Sequence, residues 1–214
     1  MKESSSKENI LRKIRQGLSD PVPVPFPGSE GSNSVFQPAT EELEVHFAKE
    51  FTDLLGKFAF CMNGEDLFNQ LQGLIKSRDW KNMYCVESHL MKLVSAASTF
   101  PINQSNLAEC DASVTSCEFL IARTGSIVMS SAQQSGRTVS VYAPIHICIA
   151  YTDQLVYDIK EGLQLLREKY ADNIPSMITF ATGPSRTADI EKSLVVGVHG
   201  PKESYVFLLD RPKN

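Results

Sequence analysis

The densest group of residues able to do chemistry lies between Thr179 and Glu191, in the run TFATGPSRTADIE. An apolar stretch ends there in a glycine and a proline, and hydroxyl and guanidinium side chains follow. Backbone N–H groups at the start of a helix favour an anion, and such side chains extend the site. The residues of this run that we assign to an anion site are Gly183, Pro184, Ser185, Arg186, Thr187 and Asp189. An ordinary turn with a serine or threonine cap explains the spacing equally well, so both interpretations stay open.

A second run, LVVGVHGP from Leu194 to Pro201, leads from an apolar strand into His199 and a turn at Gly200. Glycine lets the backbone approach a ligand closely, and an imidazole can act as a base or as a donor to a carboxylate. The alternative is a histidine that bonds only carbonyl groups of its own loop. Because loops at the carboxyl ends of parallel strands emerge on the same side of a sheet, we expect His199 to face Arg186 across a crevice at that edge.

Polar residues also introduce two further apolar runs. Thr124, Gly125 and Ser126 form a polar turn before one run, and His146 follows a proline at the start of the other. We include these four residues in the candidate set for ligand or anion binding. For His146 the alternative is a histidine whose hydrogen bonds are satisfied inside the structure.

The elements that must position these residues alternate between helix and strand from Thr40 onward. Apolar runs predict strands at 57–62, 83–86, 126–130, 138–142, 145–150, 177–182, 194–198 and 205–209. Stripes of apolar residues predict helices at 43–54, at 67–75 with Asp66 as a cap, at 89–97 and at 153–170. Residues 111–121 fit either type of element. This alternation is typical of the α/β class, with a mainly parallel sheet covered by helices on both faces.

The start of the chain has a different composition. Residues 1–19 predict an N-terminal helical arm with an apolar stripe over 6–18, and residues 20–39 predict a linker rich in proline, glycine and serine. Residues 40–214 then form the α/β domain. The arm could dock on its own domain or on a partner, and its pattern leaves both possibilities open.

Composition narrows the class of protein. The 214 residues carry a net charge of −4, which offers no basic face for nucleic acid. No run approaches the roughly 20 apolar residues of a membrane helix, and the start has no apolar core of a secretory signal, so we expect a soluble cytoplasmic protein. The five cysteines show no Cys-x-x-Cys spacing, which favours buried reduced thiols over metal ligands. We expect no metal site and no cofactor on this chain.

Five runs together resemble the LUD-domain family, and within it the lactate utilization protein C branch. In chain order they are Ala122–Met129, Pro144–His146, Gly183–Glu191, Gly197–Pro201 and Tyr205–Leu209. The resemblance extends over about residues 111–210. It implies a NagB/RpiA/CoA-transferase-like α/β fold, in agreement with the alternation of elements.

The resemblance also implies a place in a system that oxidises L-lactate to pyruvate. The partners it implies are iron–sulfur oxidoreductase subunits, which would carry the clusters, together with a small anionic ligand. Whether the chain is itself an enzyme stays open at this point. The first hypothesis is an accessory subunit of an L-lactate dehydrogenase complex that binds a carboxylate without turnover of its own. The alternatives are a stand-alone enzyme acting on a phosphorylated or CoA-linked small acid, and a regulatory ligand-sensing module.

We predict that removing residues 1–34 leaves a folded domain. The proline-rich run is a natural boundary, and a helix as short as the arm is only marginally stable on its own. Thermal unfolding of the truncated protein should therefore show one cooperative transition near that of the full chain. An unfolded or aggregated truncated protein would instead show that the arm belongs to the core.

Overall fold

In the computed structural model, the described residues are 6–19, 39, 41–95, 101–187 and 195–211. The chain divides into two units, residues 1–38 and residues 39–214. The first unit contains helix α1 (Ser6–Ser19), as the apolar stripe predicts, and its side chains Ile10, Leu11 and Ile14 are exposed. Within the described ranges, no helix is both long enough and apolar enough to cross a bilayer.

The second unit holds the strands and the remaining helices. In chain order the strands are β1 (Lys57–Cys61), β2 (Met83–Tyr84), β3 (Ile102–Asn103), β4 (Ala112–Thr115), β5 (Phe119–Ile121), β6 (Ser126–Ser130), β7 (Ile145–Tyr151), β8 (Leu155–Val156), β9 (Ile178–Ala181), β10 (Arg186–Thr187), β11 (Val195–Val196) and β12 (Glu203–Leu209). The helices are α2 (Leu43–Asp53), α3 (Gly64–Arg78), α4 (Ser88–Ser95), α5 (Val139–Tyr142) and α6 (Ile159–Tyr170).

Six strands form a parallel sheet in the order β1-β12-β7-β4-β2-β3. The predicted α/β class with a mainly parallel sheet is therefore confirmed. Side chains alternate along β12, so Phe207 lies in the core on one face while Val206 and Leu208 lie in the core on the other. Helices α3 and α4 cover the first face, and α2 contributes Phe47 and Phe51 to the second.

The second face is also covered by another sheet, which the apolar runs do not predict. This four-stranded sheet has the order β8-β5-β6-β9 and contains antiparallel pairs. Its inner side joins the core around Phe47, and α6 covers its outer side through Leu166. The ambiguous run 111–121 divides between the two sheets, because β4 enters the parallel sheet and β5 enters the second one.

Four predicted elements differ from the structure. Residues 139–142 form the helical turn α5 instead of a strand, with Thr138 O accepting from the N–H groups of two residues in that turn. The helix predicted at 153–170 begins only at Ile159, because the side chain of Asp158 caps it and 155–156 pair with β5. The strand predicted at 194–198 is the two-residue β11. Asn63, not Asp66, caps α3, since the Asn63 Oδ1 accepts from the Asp66 N–H at 2.9 Å.

A buried carboxylate fastens α6 to the second sheet. Glu118 is 4% exposed and accepts hydrogen bonds from Ser130 Oγ at 2.6 Å, Tyr170 OH at 2.7 Å and Lys169 Nζ at 2.6 Å. Burial alone would raise the pKa of Glu118, but the bonds from Lys169, Ser130 and Tyr170 outweigh it and lower that pKa. The charged carboxylate is therefore the form that stabilises the fold.

We predict that Glu118→Gln lowers the free energy of unfolding by about 1–3 kcal/mol at neutral pH, because the charged acceptor and its ion pair with Lys169 are lost. The lowered pKa means that this stabilisation is present above the ordinary glutamate value of 4.5 and is lost as pH falls through the lower folded-state value. Denaturant unfolding at several pH values measures both effects.

The matched control for Glu118→Gln is Glu168→Gln, which changes an exposed glutamate on α6 whose partner is Gln164. It should change the free energy of unfolding by less than about 0.5 kcal/mol. An equal loss in both variants, or a difference that does not shrink in acid, would contradict a stabilising role of the Glu118 carboxylate.

Candidate functional site

The two runs richest in chemistry come together in one hairpin. Strand β10 pairs antiparallel with β11, so Arg186 lies beside Val196. The Ser185 N–H donates to Pro201 O and the Gly197 N–H donates to Ser185 O, each at 2.9 Å. A Cβ atom at Gly200 would lie 2.8 Å from the Ser185 Cβ, so the close approach of these segments requires glycine.

This hairpin lies at the amino edge of the parallel sheet, so the prediction of a carboxyl-edge site for Arg186 and His199 is wrong. The hairpin leads directly into β12, and the Lys202 N–H donates to Pro144 O at 2.7 Å, just before β7 begins. The prediction fails because the strands before these two loops do not pair within the parallel sheet. Strand β9 belongs to the second sheet and β11 folds back on β10, so neither precedes its loop in the parallel sheet.

The hairpin borders a cleft of about 460 Å³. Its lining includes Tyr142, Pro144, His199, Gly200 and Lys202. The side chains of His199 and Arg186 are exposed, and Thr187 is half-buried. Asp189, which we also assign to the anion site, lies outside the described residues.

Two of the predicted ligand-binding glycines contact helix α2. Gly125 has φ +57°, and a Cβ there would lie 2.6 Å from the Phe51 backbone nitrogen. Gly183 has φ +77°, and a Cβ there would lie 2.5 Å from Leu54 O. Both positions therefore need glycine for a backbone that other residues rarely adopt and for the close packing of the end of α2.

The hydroxyl groups beside Gly125 bond one another. Ser126 Oγ lies 2.7 Å from Thr124 Oγ1 and 2.9 Å from Thr182 Oγ1. This chain joins the turn before β6 to the end of β9. Ser126 is buried and Thr124 is half-buried.

His146 lies inside the sheet. It is 1% exposed, and its Nε2 is 2.8 Å from Thr115 Oγ1 on β4. Ser113 and Ser204 flank it in register on the neighbouring strands. Burial lowers the pKa of His146 to about 4, so the ring is neutral near pH 7. His146 therefore bonds within the core and does not line the cleft beside the hairpin.

At the opposite edge, the strand order changes direction between β2 and β4. From β2 the chain continues to β3 on one side, whereas from β4 it continues to β7 on the other side. In parallel α/β sheets, ligands bind beyond the carboxyl ends of the strands at such a point. A ligand is therefore expected near the residues that follow β2 and β4.

A buried carboxylate joins the two strand ends. Glu87, which follows β2, is 1% exposed and accepts from the Ser116 N–H at 3.0 Å and from the Ser116 hydroxyl. Gln133 Nε2 donates to the Ser116 Oγ at 3.0 Å. His89 is the second residue of α4, and its Nε2 is 3.7 Å from Glu87 Oε2.

Above this pair is a cleft of about 640 Å³, called the carboxyl-edge cleft below. Its lining residues are His89, Lys92, Leu93, Ser116, Cys117, Tyr151, Asp153, Gln154 and Arg211. Helix α4 forms one wall, and its His89 and Lys92 are three residues apart, which places them on neighbouring positions of one helix face. The segments after β7 and β12 form the other wall.

Arg211 is held by two neighbours on this second wall. Its guanidinium carbon lies 3.6 Å from the centre of the Tyr151 ring, and its Nη1 donates to Asp153 Oδ2 at 3.2 Å. On the floor, Gln154 Nε2 donates to Cys117 O at 2.8 Å. The cleft thus has two cationic side chains, Lys92 and Arg211, and the imidazole of His89. Asp153 supplies the one carboxylate among its lining residues, and this arrangement is suited to an anion.

The residues of the carboxyl-edge cleft are absent from the set predicted from the sequence. Glu87 falls between a predicted strand and a predicted helix, and His89 begins that helix, so their position was the available signal. Ser116 and Cys117 fall in the ambiguous run 111–121. Arg211 gives no local signal, because only the pairing of β12 beside β7 brings it to this edge.

The five cysteines are all buried, as their spacing predicts. Burial raises the pKa of Cys61 to about 12 and that of Cys85 to about 11, which keeps both protonated. Over the part of the chain that the structure describes, no group of three or more histidine, cysteine, aspartate or glutamate side chains is placed to hold a metal ion.

The fold is that of an α/β protein with a cleft at the carboxyl edge of a parallel sheet. The model of the LUD domain family matches residues 97–209, more than half of the chain. The chain therefore belongs to the LUD-domain family, as its sequence runs indicate.

Several relatives are similar in sequence to part of this chain. The chain is 38% identical over 112 residues to lactate utilization protein C of Bacillus licheniformis, an alignment that covers 51% of this chain and 47% of the relative. It is 35% identical over 112 residues to lactate utilization protein C of Bacillus subtilis, with the same coverage. It is 34% identical over 110 residues to lactate utilization protein C of Deinococcus radiodurans, covering 51% of each chain. The matched region spans about half the length of these relatives.

A solved structure shares the fold. The crystal structure of a DUF162 family protein from Deinococcus radiodurans superimposes with a TM-score of 0.61 at 18% identity, covering 81% of this chain and 99% of that chain. At this identity the likeness supports the α/β fold alone.

We predict that Gly125→Ala destabilises the protein more than Gly136→Ala does. Both glycines have positive φ, +57° and +63°, but a Cβ at Gly136 meets nothing within 4 Å. Gly136→Ala should therefore lower the free energy of unfolding by about 1 kcal/mol, the cost of the backbone conformation alone. Gly125→Ala should lower it by about 1–3 kcal/mol more, because the added methyl group overpacks against α2. Denaturant unfolding measures the difference, and equal losses would contradict the packing role of Gly125.

Proposed function

We propose that this protein is a component of a system that oxidises L-lactate to pyruvate, where it acts with iron–sulfur partner proteins and binds a small carboxylate or similar anion. The observation that carries the proposal is membership of the LUD-domain family together with 33–38% identity to several proteins named lactate utilization protein C. We place it in the cytoplasm with that system.

The distribution of its thiols supports a role beside cluster-bearing partners. Oxidation of lactate to pyruvate releases two electrons, which an acceptor must take up. Cys61 and Cys85 lie in the core on one face of the parallel sheet, while Cys117 and Cys148 lie in the core on the other. Thiols divided in this way do not form the set of ligands that an iron–sulfur cluster needs, so we assign the electron acceptor to the partners.

The environment of Glu118 weighs against a stand-alone CoA-transfer enzyme. Such an enzyme needs a carboxylate nucleophile that its substrate can reach. Glu118 is buried, and its two oxygens already accept bonds from Ser130, Tyr170 and Lys169. Glu191, the glutamate at the end of the anion-site run, lies outside the described residues.

The anion has two candidate locations in this fold. The hairpin cleft lies at the amino edge of the sheet and is lined by His199 and Lys202, while the predicted residues Ser185, Arg186 and Thr187 belong to the hairpin that borders it. The carboxyl-edge cleft holds Lys92 and Arg211. Both contain cationic side chains, and an experiment can separate them.

We predict that deleting the gene impairs growth on L-lactate as sole carbon source and leaves growth on glucose unchanged. A plasmid copy of the intact gene should restore growth on L-lactate. Affinity purification of the tagged protein from lactate-grown cells should recover iron–sulfur proteins, identified by mass spectrometry. Equal growth of the deletion strain on both carbon sources, in a strain with no second copy, would contradict the proposal.

A further inference from the structure

We infer that the carboxyl-edge cleft is a binding site for a small monocarboxylic acid with an oxygen on its second carbon, as a hydroxyl or a keto group. This inference deepens the proposed function and rests on it for the acids to be tested. It assigns the ligand to residues that follow four strands of the parallel sheet, away from the hairpin cleft.

The carboxylate of such an acid needs planar or clustered donors. Arg211 offers five N–H groups, and among the described residues Asp153 engages only Nη1. Stacking on Tyr151 fixes the plane of the guanidinium, which reduces the side-chain entropy lost on binding. Lys92 is exposed on the facing wall and adds a second positive charge. Together they favour an anion over a neutral molecule of the same shape.

The second oxygen needs a group that can both accept and donate a hydrogen bond. His89 lines the cleft, its side chain is 58% exposed, and its Nε2 faces the carboxylate of Glu87. The nitrogens of an imidazole can accept a hydrogen bond from a hydroxyl group or donate one to a keto group, so an acid of either kind finds a partner at His89. An acid without the second oxygen makes no such bond.

The support beneath these groups favours this cleft over the hairpin cleft. Glu87 is held by two bonds from Ser116, and Gln154 ties the turn after β7 to the end of β4. The floor of the cleft is therefore built from buried or half-buried, hydrogen-bonded residues at the change of strand direction. At the other edge, Arg186 and His199 are exposed, and they lie on and just after a hairpin whose strands have two residues each.

The experiment is isothermal titration of the full chain with L-lactate, pyruvate and propionate, the last of which lacks the second oxygen. L-lactate or pyruvate should bind at least about tenfold more tightly than propionate, as one lost hydrogen bond to an imidazole predicts. Arg211→Gln should weaken binding of all three acids by about tenfold or more. His89→Phe should remove the preference over propionate and leave propionate binding within about twofold.

The matched control is His199→Phe, the same substitution at an exposed histidine of the hairpin cleft, which should leave every affinity unchanged. Far-ultraviolet circular dichroism and a melting curve of each variant confirm that it is folded. Equal binding of L-lactate, pyruvate and propionate, absence of binding by all three, or a loss caused by His199→Phe and not by Arg211→Gln would overturn the inference. The growth test on L-lactate is independent, so a strain that needs the gene while the purified chain binds none of these acids would sink the site and spare the proposed function.

Discussion

The fold depends on where its last strand is inserted. Strand β12 lies between β1 and β7 and pairs with both in parallel, over five residues of β1 and all seven of β7. Its alternating side chains enter both cores, with Phe207 on one face of the sheet and Val206 on the other. Neither core is therefore complete without β12. Loss of β12 would leave β1 without its partner in the sheet.

The same insertion assembles the carboxyl-edge cleft. Strands β2, β4, β7 and β12 are parallel and adjacent, so the segments that follow them meet at one edge although they are far apart in the chain. These segments supply Glu87, Ser116, Asp153 and Arg211 in that order. Glu87 and Gln154 then join neighbouring segments through partly buried hydrogen bonds. The cleft is a consequence of strand order, and its chemistry comes from the first residues beyond each strand.

The second sheet has a different relation to the first. It packs on the face of the parallel sheet that also carries α2, and the glycines at 125 and 183 allow the end of that helix to approach closely. Glu118 joins its other side to α6. Several residues that looked suited to bind an anion in the sequence are used here for packing, because glycine and hydroxyl residues serve tight turns as well as ligands.

Much of the fold could be predicted from the sequence, because long strands such as β7 and β12 are nearly continuous apolar runs and helices such as α3 carry an apolar stripe. The short strands could not, since β8, β10 and β11 have two residues each and no period to detect. The candidate site was only partly predictable. Contact between Ser185 and Gly200 follows from neighbouring runs, but the edge on which they lie depends on strand partners. Arg211 enters the cleft through pairing that no local pattern encodes.

The most direct test of this account is a crystal structure of the protein grown with a saturating concentration of pyruvate. The account predicts one bound molecule in the carboxyl-edge cleft, with its carboxylate within hydrogen-bond distance of Arg211 and its keto oxygen facing His89. Pyruvate bound instead in the hairpin cleft beside His199 and Gly200, with the carboxyl-edge cleft holding only water, would contradict it.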